Sequence, residues 1–336
     1  MQYGDIFDGS KVVEGEVARM AQEAETELAD IERRGGVIKA VETGYLKQRL
    51  VESNARRLSA IERGDQVVVG VNRFTETAQS PLTRDLDGAI LTIDPAVERE
   101  GIAAIARWRA SRDPAAVGAA LDALRAAVKG GENVMPPSIA AAKAGVTTGE
   151  WGALMREALG EYRAPTGVTG AQVAEVSSAT GESRVPQLRA ALARLERELG
   201  RRPKILVGKP GLDGHSNGAE QIALKARDVG FEVVYEGIRV SPERLVASAL
   251  EEGVHLIGIS ILSGSHLELV PQIVARAREA GIGHVPIVVG GIIPDADAKK
   301  LVAAGVARVY TPKDFELDAI MEDLVGLIAR SAEARA

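Results

Sequence analysis

Val17, Met20, Ala24, Leu28 and Ile31 recur at steps of three and four, which places them on one face of a helix over about residues 12–31. Gly35-Gly36 supplies its stop. A second helical stretch, 45–63, closes at Gly64-Asp65, and the β-branched run QVVVGVN at 66–72 reads as a strand. Asp94-Pro95 and Asp113-Pro114 each read as a helix start with proline in the first turn. Ile102, Ile105 and Trp108 stripe the first of these helices, and the second, rich in alanine, ends at Gly130-Gly131. Shorter helices are expected over 137–144 and 148–159, and a further one over 185–199.

Beyond Arg202 the pattern changes. The segments 204–210, 232–238, 255–262, 285–291 and 307–312 are short and rich in Val and Ile, with helical stretches of about 10 to 15 residues between them, the signature of βαβ units. The fold class is therefore α/β, a doubly wound parallel sheet of five strands preceded by a mostly helical region. Residues 1–163 form that helical region, and 164–184 form a linker, since APTGVTGAQVAEVSSATGE is small, polar and poor in large apolar residues. Residues 185–336 form the α/β domain. Right-handed crossovers bring the carboxyl ends of the strands to one edge, so the residues that bind a ligand are expected just after each strand.

Composition narrows the chemistry. A chain of 336 residues with 46% hydrophobic and 26% charged positions is that of an ordinary globular protein. Its 41 basic and 47 acidic residues leave a net charge of −6, without the clustered positive charge that nucleic acid or an anionic membrane needs, so neither is expected as a partner. With no cysteine there is no disulfide, iron–sulfur cluster or thiolate nucleophile. No apolar run reaches the roughly 20 residues of a membrane span, and the start lacks the features of a signal peptide, so a cytoplasmic location is expected.

After the first strand comes KPGLDGHSNG, Lys209 to Gly218. Its glycines, Gly211, Gly214 and Gly218, fit neither the dinucleotide fingerprint nor the phosphate loop. What remains is Asp213-x-His215-x-x-Gly218. An aspartate two residues from a histidine can accept a proton from one ring nitrogen and leave the other as a metal ligand. Equally, His215 can be a solvated loop residue and Asp213 a helix cap. The third strand ends in Ser260-Ile-Leu262-Ser-Gly264, and the fourth in Gly290-Gly291. Forty-one residues separate Gly218 from Ser260, and twenty-seven separate Leu262 from Gly290. Of the remaining histidines, His266 follows the Ser260 loop and is read as a surface residue.

In this order and spacing, Asp213-x-His215-x-x-Gly218, Ser260-x-Leu262 and Gly290-Gly291 resemble the flavodoxin-like (Rossmann-like) cobalamin-binding domain of carbon-skeleton mutases and methionine-synthase-type methyltransferases. The segments YGDIFDGSKVVE, GGVIKAVETGYLKQRL, QVVVGVNRFTE, ENVMPPSIAAAKAGVTTGEWG and GEYRAPTGV extend the likeness over nearly the whole chain. They resemble the part of the cobalamin-dependent acyl-CoA mutase family that follows the acyl-CoA barrel, ethylmalonyl-CoA mutases most of all.

The resemblance implies adenosylcobalamin as cofactor, with His215 as the axial ligand to cobalt, Asp213 bonded to the far side of its ring and Lys209 paired with Asp213. Gly211 and Gly264 fall within the same loops, and Gly218 would leave room for the nucleotide tail. Ser260 and Leu262 would line the tail pocket, Gly290 and Gly291 would let the tail pass the backbone, and Tyr310 and Thr311 would flank it. It further implies an isomerase that rearranges a carbon skeleton by a radical route, of ethylmalonyl-CoA or methylmalonyl-CoA type. Residues 1–160 cannot hold the eight βα units of the barrel. No catalytic residue is therefore carried over, and the isolated chain is expected to be inactive. A separate acyl-CoA-binding barrel subunit and a GTPase chaperone of the mutase family are the implied partners. A corrinoid methyl carrier of a methyltransferase and a non-catalytic cobalamin-binding module remain as alternatives.

Overall fold

The computed structural model describes residues 7–76, 94–161, 165, 184–314 and 316–334. Apart from Pro165 and Arg184, the expected linker at 164–184 lies outside them. The helices are α1 (Lys11–Arg33), α2 (Gly36–Glu42), α3 (Tyr45–Glu62), α4 (Pro95–Ser111), α5 (Pro114–Gly130), α6 (Met135–Ala144), α7 (Thr148–Leu159), α8 (Val185–Leu199), α9 (Asn217–Val229), α10 (Pro242–Glu251), α11 (His266–Glu279), α12 (Asp295–Ala304) and α13 (Leu317–Glu333). Asp94 and Asp113 cap α4 and α5 with proline in the first turn, as the sequence leads one to expect. The chain divides into two compact units. One joins Met1–Thr77 to Ala164–Ala336, and the other is Ala78–Arg163. The helical first part is thus shared between the two.

Five parallel strands, β1 (Lys204–Pro210), β2 (Glu232–Val240), β3 (Leu256–Ile261), β4 (Ile287–Gly291) and β5 (Arg308–Tyr310), form one sheet in the order β2-β1-β3-β4-β5. The strands are apolar on both sides because helices cover both faces. Leu192 of α8, Ala223 of α9 and Leu324 of α13 pack on one face with Ile205 and Leu256. Leu245 of α10, Ile273 of α11 and Leu301 of α12 pack on the other with Leu206 and Ile257. Because β1 leads outward to β2 in one direction and β3 to β5 run the other way, the order reverses between β1 and β3. Such a reversal opens a crevice at the carboxyl ends of the strands.

The first unit also carries α1 to α3. None of the residues of α1 is buried, so its apolar stripe faces outward. It is pinned to α3 by polar contacts, with the Tyr45 hydroxyl donating to Glu27 at 2.8 Å and Arg49 bridging to the same carboxylate. Helix α3 packs on α9, where Val51 and Ala55 meet Leu224. The Gln221 amide donates to the Val51 carbonyl at 3.2 Å, and the Lys47 ammonium lies 2.7 Å from the buried Glu220 carboxylate and 2.7 Å from the Ser216 hydroxyl. Glu62, at the end of α3, accepts from the Leu317 N–H at the start of α13.

One expected element differs. Residues 66–72 form a turn, with a single bridge between Val69 and Arg73, and not a strand. The Asn72 side chain occupies the backbone groups that a ladder would use, donating to the Ile61 and Gln66 carbonyls and accepting from the Val68 N–H.

In the second unit, α4 to α7 bury Val117, Leu124, Ala141 and Leu154. Arg112 grips Glu150 through two bonds of 2.6 Å, and Glu150 completes a capping box with Thr147 at the start of α7.

Candidate functional site

The loop from β1 to α9 is built around one buried ion pair. Lys209, on β1, has a fully buried side chain whose ammonium donates to Asp213 at 2.9 Å and to the Ser260 carbonyl at 3.1 Å. The other bonds to Asp213 come from the Leu262 N–H at 3.0 Å and from the backbone and ring of His215, at 2.9 and 2.8 Å. Burial alone would raise the Asp213 pKa. The His215 N–H, the Lys209 ammonium, the His215 ring and the Leu262 N–H together outweigh it and hold the carboxyl well below the usual carboxylate range. Asp213 is thus an ionised acceptor that fixes Nδ1 of His215 as the protonated nitrogen and turns Nε2 outward. The His215 side chain is 81% exposed.

Register places Ser260, Gly290 and Tyr310 side by side on β3, β4 and β5. Together with Gly218, Leu262, Gly291 and Thr311 they line a cavity of about 510 Å³ between the sheet, α9 and α13, walled by Val207, Leu256, Val288, Ile320 and Leu324. That size and apolar character are typical of a small-molecule site. The glycines shape it differently. A Cβ at Gly218 or Gly290 would meet nothing within 4 Å, whereas one at Gly291 would fall 1.8 Å from the Ile261 carbonyl. Tyr310 is buried, and burial, with Asp323 beside the ring, pushes its hydroxyl pKa up.

The sequence-derived site residues therefore form two linked groups. Lys209, Asp213 and His215 make the polar relay, and seven residues from Gly218 to Thr311 share the cavity, joined through Ser260 and Leu262. Gly211 and Gly264 belong to neither. Gly211 takes a left-handed turn against Leu269, and Gly264 takes another before α11. His266 is not a surface residue: its side chain is buried at the start of α11, with Nε2 3.0 Å from Asp297. His255 sits at the amino end of β3, bonded to the Lys204 N–H and to Arg201.

Sequence reasoning missed a whole wall. Asn54, Arg57, Leu58 and Val71, from α3 and the turn after it, line the same cavity. The Val51, Ala55, Leu58 spacing marks an apolar face of α3, but no pattern in it indicates which other element that face covers.

Among the described residues no three of His, Asp and Glu gather round one point, so His215 offers a single ligand and does not form a cage for a bare ion. One exposed ring nitrogen beside a deep apolar cavity fits a metal already held in a macrocycle that also carries an apolar appendage. No helix among the described residues is long and apolar enough to cross a membrane.

Residues 1–161 match the methylmalonyl-CoA mutase family model, and residues 203–319 match the B12 binding domain. The chain is 55% identical to ethylmalonyl-CoA mutase of Methylorubrum extorquens over all 336 residues, which are 48% of that protein. It is 36% identical over 313 residues to methylmalonyl-CoA mutase of Cereibacter sphaeroides, covering 92% of this chain and 42% of that one. A solved cobalamin-binding protein from Desulfitobacterium hafniense DCB-2 aligns with 62% of this chain and 98% of its own at 16% identity and a TM-score of 0.34. The chain spans about half the length of the curated relatives it matches. With a mutase segment and a B12 binding domain in one polypeptide, this chain belongs to the cobalamin-dependent acyl-CoA mutase family.

Proposed function

We propose that this chain is the cobalamin-binding part of an adenosylcobalamin-dependent acyl-CoA mutase. The observation that carries the reading is the Lys209–Asp213–His215 relay, tied through Ser260 and Leu262 to the wall of an apolar cavity. His215 Nε2 would hold the cobalt, made a better donor by the ionised Asp213 bonded to the other ring nitrogen. The cavity, lined by Gly218, Gly290, Leu256 and Val288, would take the dimethylbenzimidazole end of the tail. Bound adenosylcobalamin supplies a deoxyadenosyl radical source for hydrogen abstraction from the substrate. The residues of this chain would hold the cofactor, set its orientation and keep water from the tail.

Recognition of the acyl-CoA falls to a barrel subunit, with a GTPase chaperone of the mutase family as a second partner, and the chain alone turns over no acyl-CoA. Likeness to ethylmalonyl-CoA mutases at 55% identity favours ethylmalonyl-CoA as the substrate. An absorbance titration of the purified chain with adenosylcobalamin tests the reading. Saturable binding with displaced benzimidazole in the wild type, and loss of that spectrum in His215→Ala, is expected. A His215→Ala spectrum identical to that of the wild type would overturn the assignment.

A further inference from the structure

The nucleotide tail of cobalamin is not uniformly apolar: an anionic phosphodiester lies between the corrin side chain and the ribose of the base. The inner walls of the cavity suit the base and set no cationic side chain beside that anion. An anion drawn out of water needs a counter-charge or several donors. Among the described residues, two charged side chains line the cavity, Arg57 and Asp314. Asp314 has the wrong sign and is already occupied, accepting from the Thr311 N–H at 2.8 Å and from the Thr311 hydroxyl at 3.3 Å.

Arg57 is exposed, and its guanidinium has no hydrogen-bond or ion-pair partner among the described residues. Its backbone is nonetheless held in place, because α3 is bonded to α9 through Lys47, Glu220 and Gln221. Asn54, three positions earlier and so on the same side of the helix, lines the cavity as well and carries an amide donor. The neighbouring Arg56 is not among the lining residues. A guanidinium presents paired N–H groups whose spacing matches two phosphate oxygens.

We infer that Arg57, supported by Asn54, binds the phosphodiester of the cobalamin tail, so that α3 contributes a phosphate subsite from outside the matched B12 binding domain. The inference rests on the cobalamin reading given above. It predicts that the tail is recognised by two stretches of chain, strand ends for the base and α3 for the phosphate.

The test is the dissociation constant of adenosylcobalamin, read by absorbance on the full chain at low and moderate ionic strength. Wild type is compared with Arg57→Ala, Arg57→Lys and Arg56→Ala. Arg57→Ala should bind about 10- to 100-fold more weakly, the range expected for losing a charged hydrogen-bond donor. It should also show a flatter salt dependence, since the screened attraction is gone. Arg57→Lys should fall between, and Arg56→Ala should stay within about twofold of wild type, as an exposed charge that does not line the cavity does under screening. Equal losses in Arg56→Ala and Arg57→Ala would show a general surface-charge effect and overturn the inference, as would wild-type affinity in Arg57→Ala. If wild type itself binds no cobalamin, the cobalamin reading falls. If wild type binds with the His215-dependent spectrum and Arg57→Ala matches it, only the subsite falls.

Discussion

Gly290 and Gly291 are adjacent in sequence and opposite in what they tolerate. A methyl group at Gly290 points into open cavity, so Gly290→Ala should fold with wild-type thermal stability while weakening cofactor binding by filling the cleft. A methyl at Gly291 collides with the Ile261 carbonyl, so β3 and β4 must separate there. Gly291→Ala should lower the unfolding free energy by about 1 to 3 kcal/mol, the usual cost of overpacking. Paired denaturant melts and titrations check this, and equal melting of the two variants would refute it. At this scale much was legible. The contact between Asp213 and His215 was legible because its spacing is short and local, and the shared edge of Ser260, Gly290 and Tyr310 because a parallel sheet brings its carboxyl ends together, whereas the roles of these residues came from the family resemblance. His266 was misread, since its burial depends on Asp297, thirty-one positions away on a different helix. Arg57 gave no signal, because an arginine on a helix looks like any solvated charge.

Elements that carry their own punctuation were read closely, β1 at 204–210 and α7 at 148–159 among them. The run 66–72 has strand composition but no neighbouring strand, and its asparagine satisfies the backbone locally. Strand formation is a property of a pair, which composition alone cannot supply. The contact of α3 with α9 was likewise invisible, yet it holds a buried charge. Lys47→Met leaves Glu220, almost wholly buried, without its counter-ion. Breaking such a pair from one side costs about 3 to 5 kcal/mol, and adding Glu220→Gln should recover most of it. Urea melts of the two single variants and the double variant measure the coupling, and additive losses would refute it. In the second unit, Glu150 is held far below the usual carboxylate range by Arg112 first and by the Thr147 backbone. A depressed folded pKa gives stability that is complete above the unfolded value of about 4.3 and declines as pH falls below it. Amide exchange in α7 should therefore be steady from pH 7 to about 5 and quicken at lower pH, after allowing for the intrinsic rate. Glu150→Gln should remove that acid sensitivity.

For the whole molecule, the cavity draws on sequence positions from Asn54 to Leu324. Saturation with cobalamin should then raise amide protection in α3 as well as in α9 and the strand ends, because a ligand stabilises whatever must be ordered to bind it. Hydrogen exchange with and without cofactor shows this directly, and unchanged protection in α3 would mean that the helix takes no part in binding. Lys47 reaches across 169 positions of chain to Ser216, the residue next to His215. A fragment cut to begin at α8 would therefore bare the Leu224 side chain and the Glu220 carboxylate to water, and its weak grip on the cofactor would be mistaken for the intrinsic affinity of the domain.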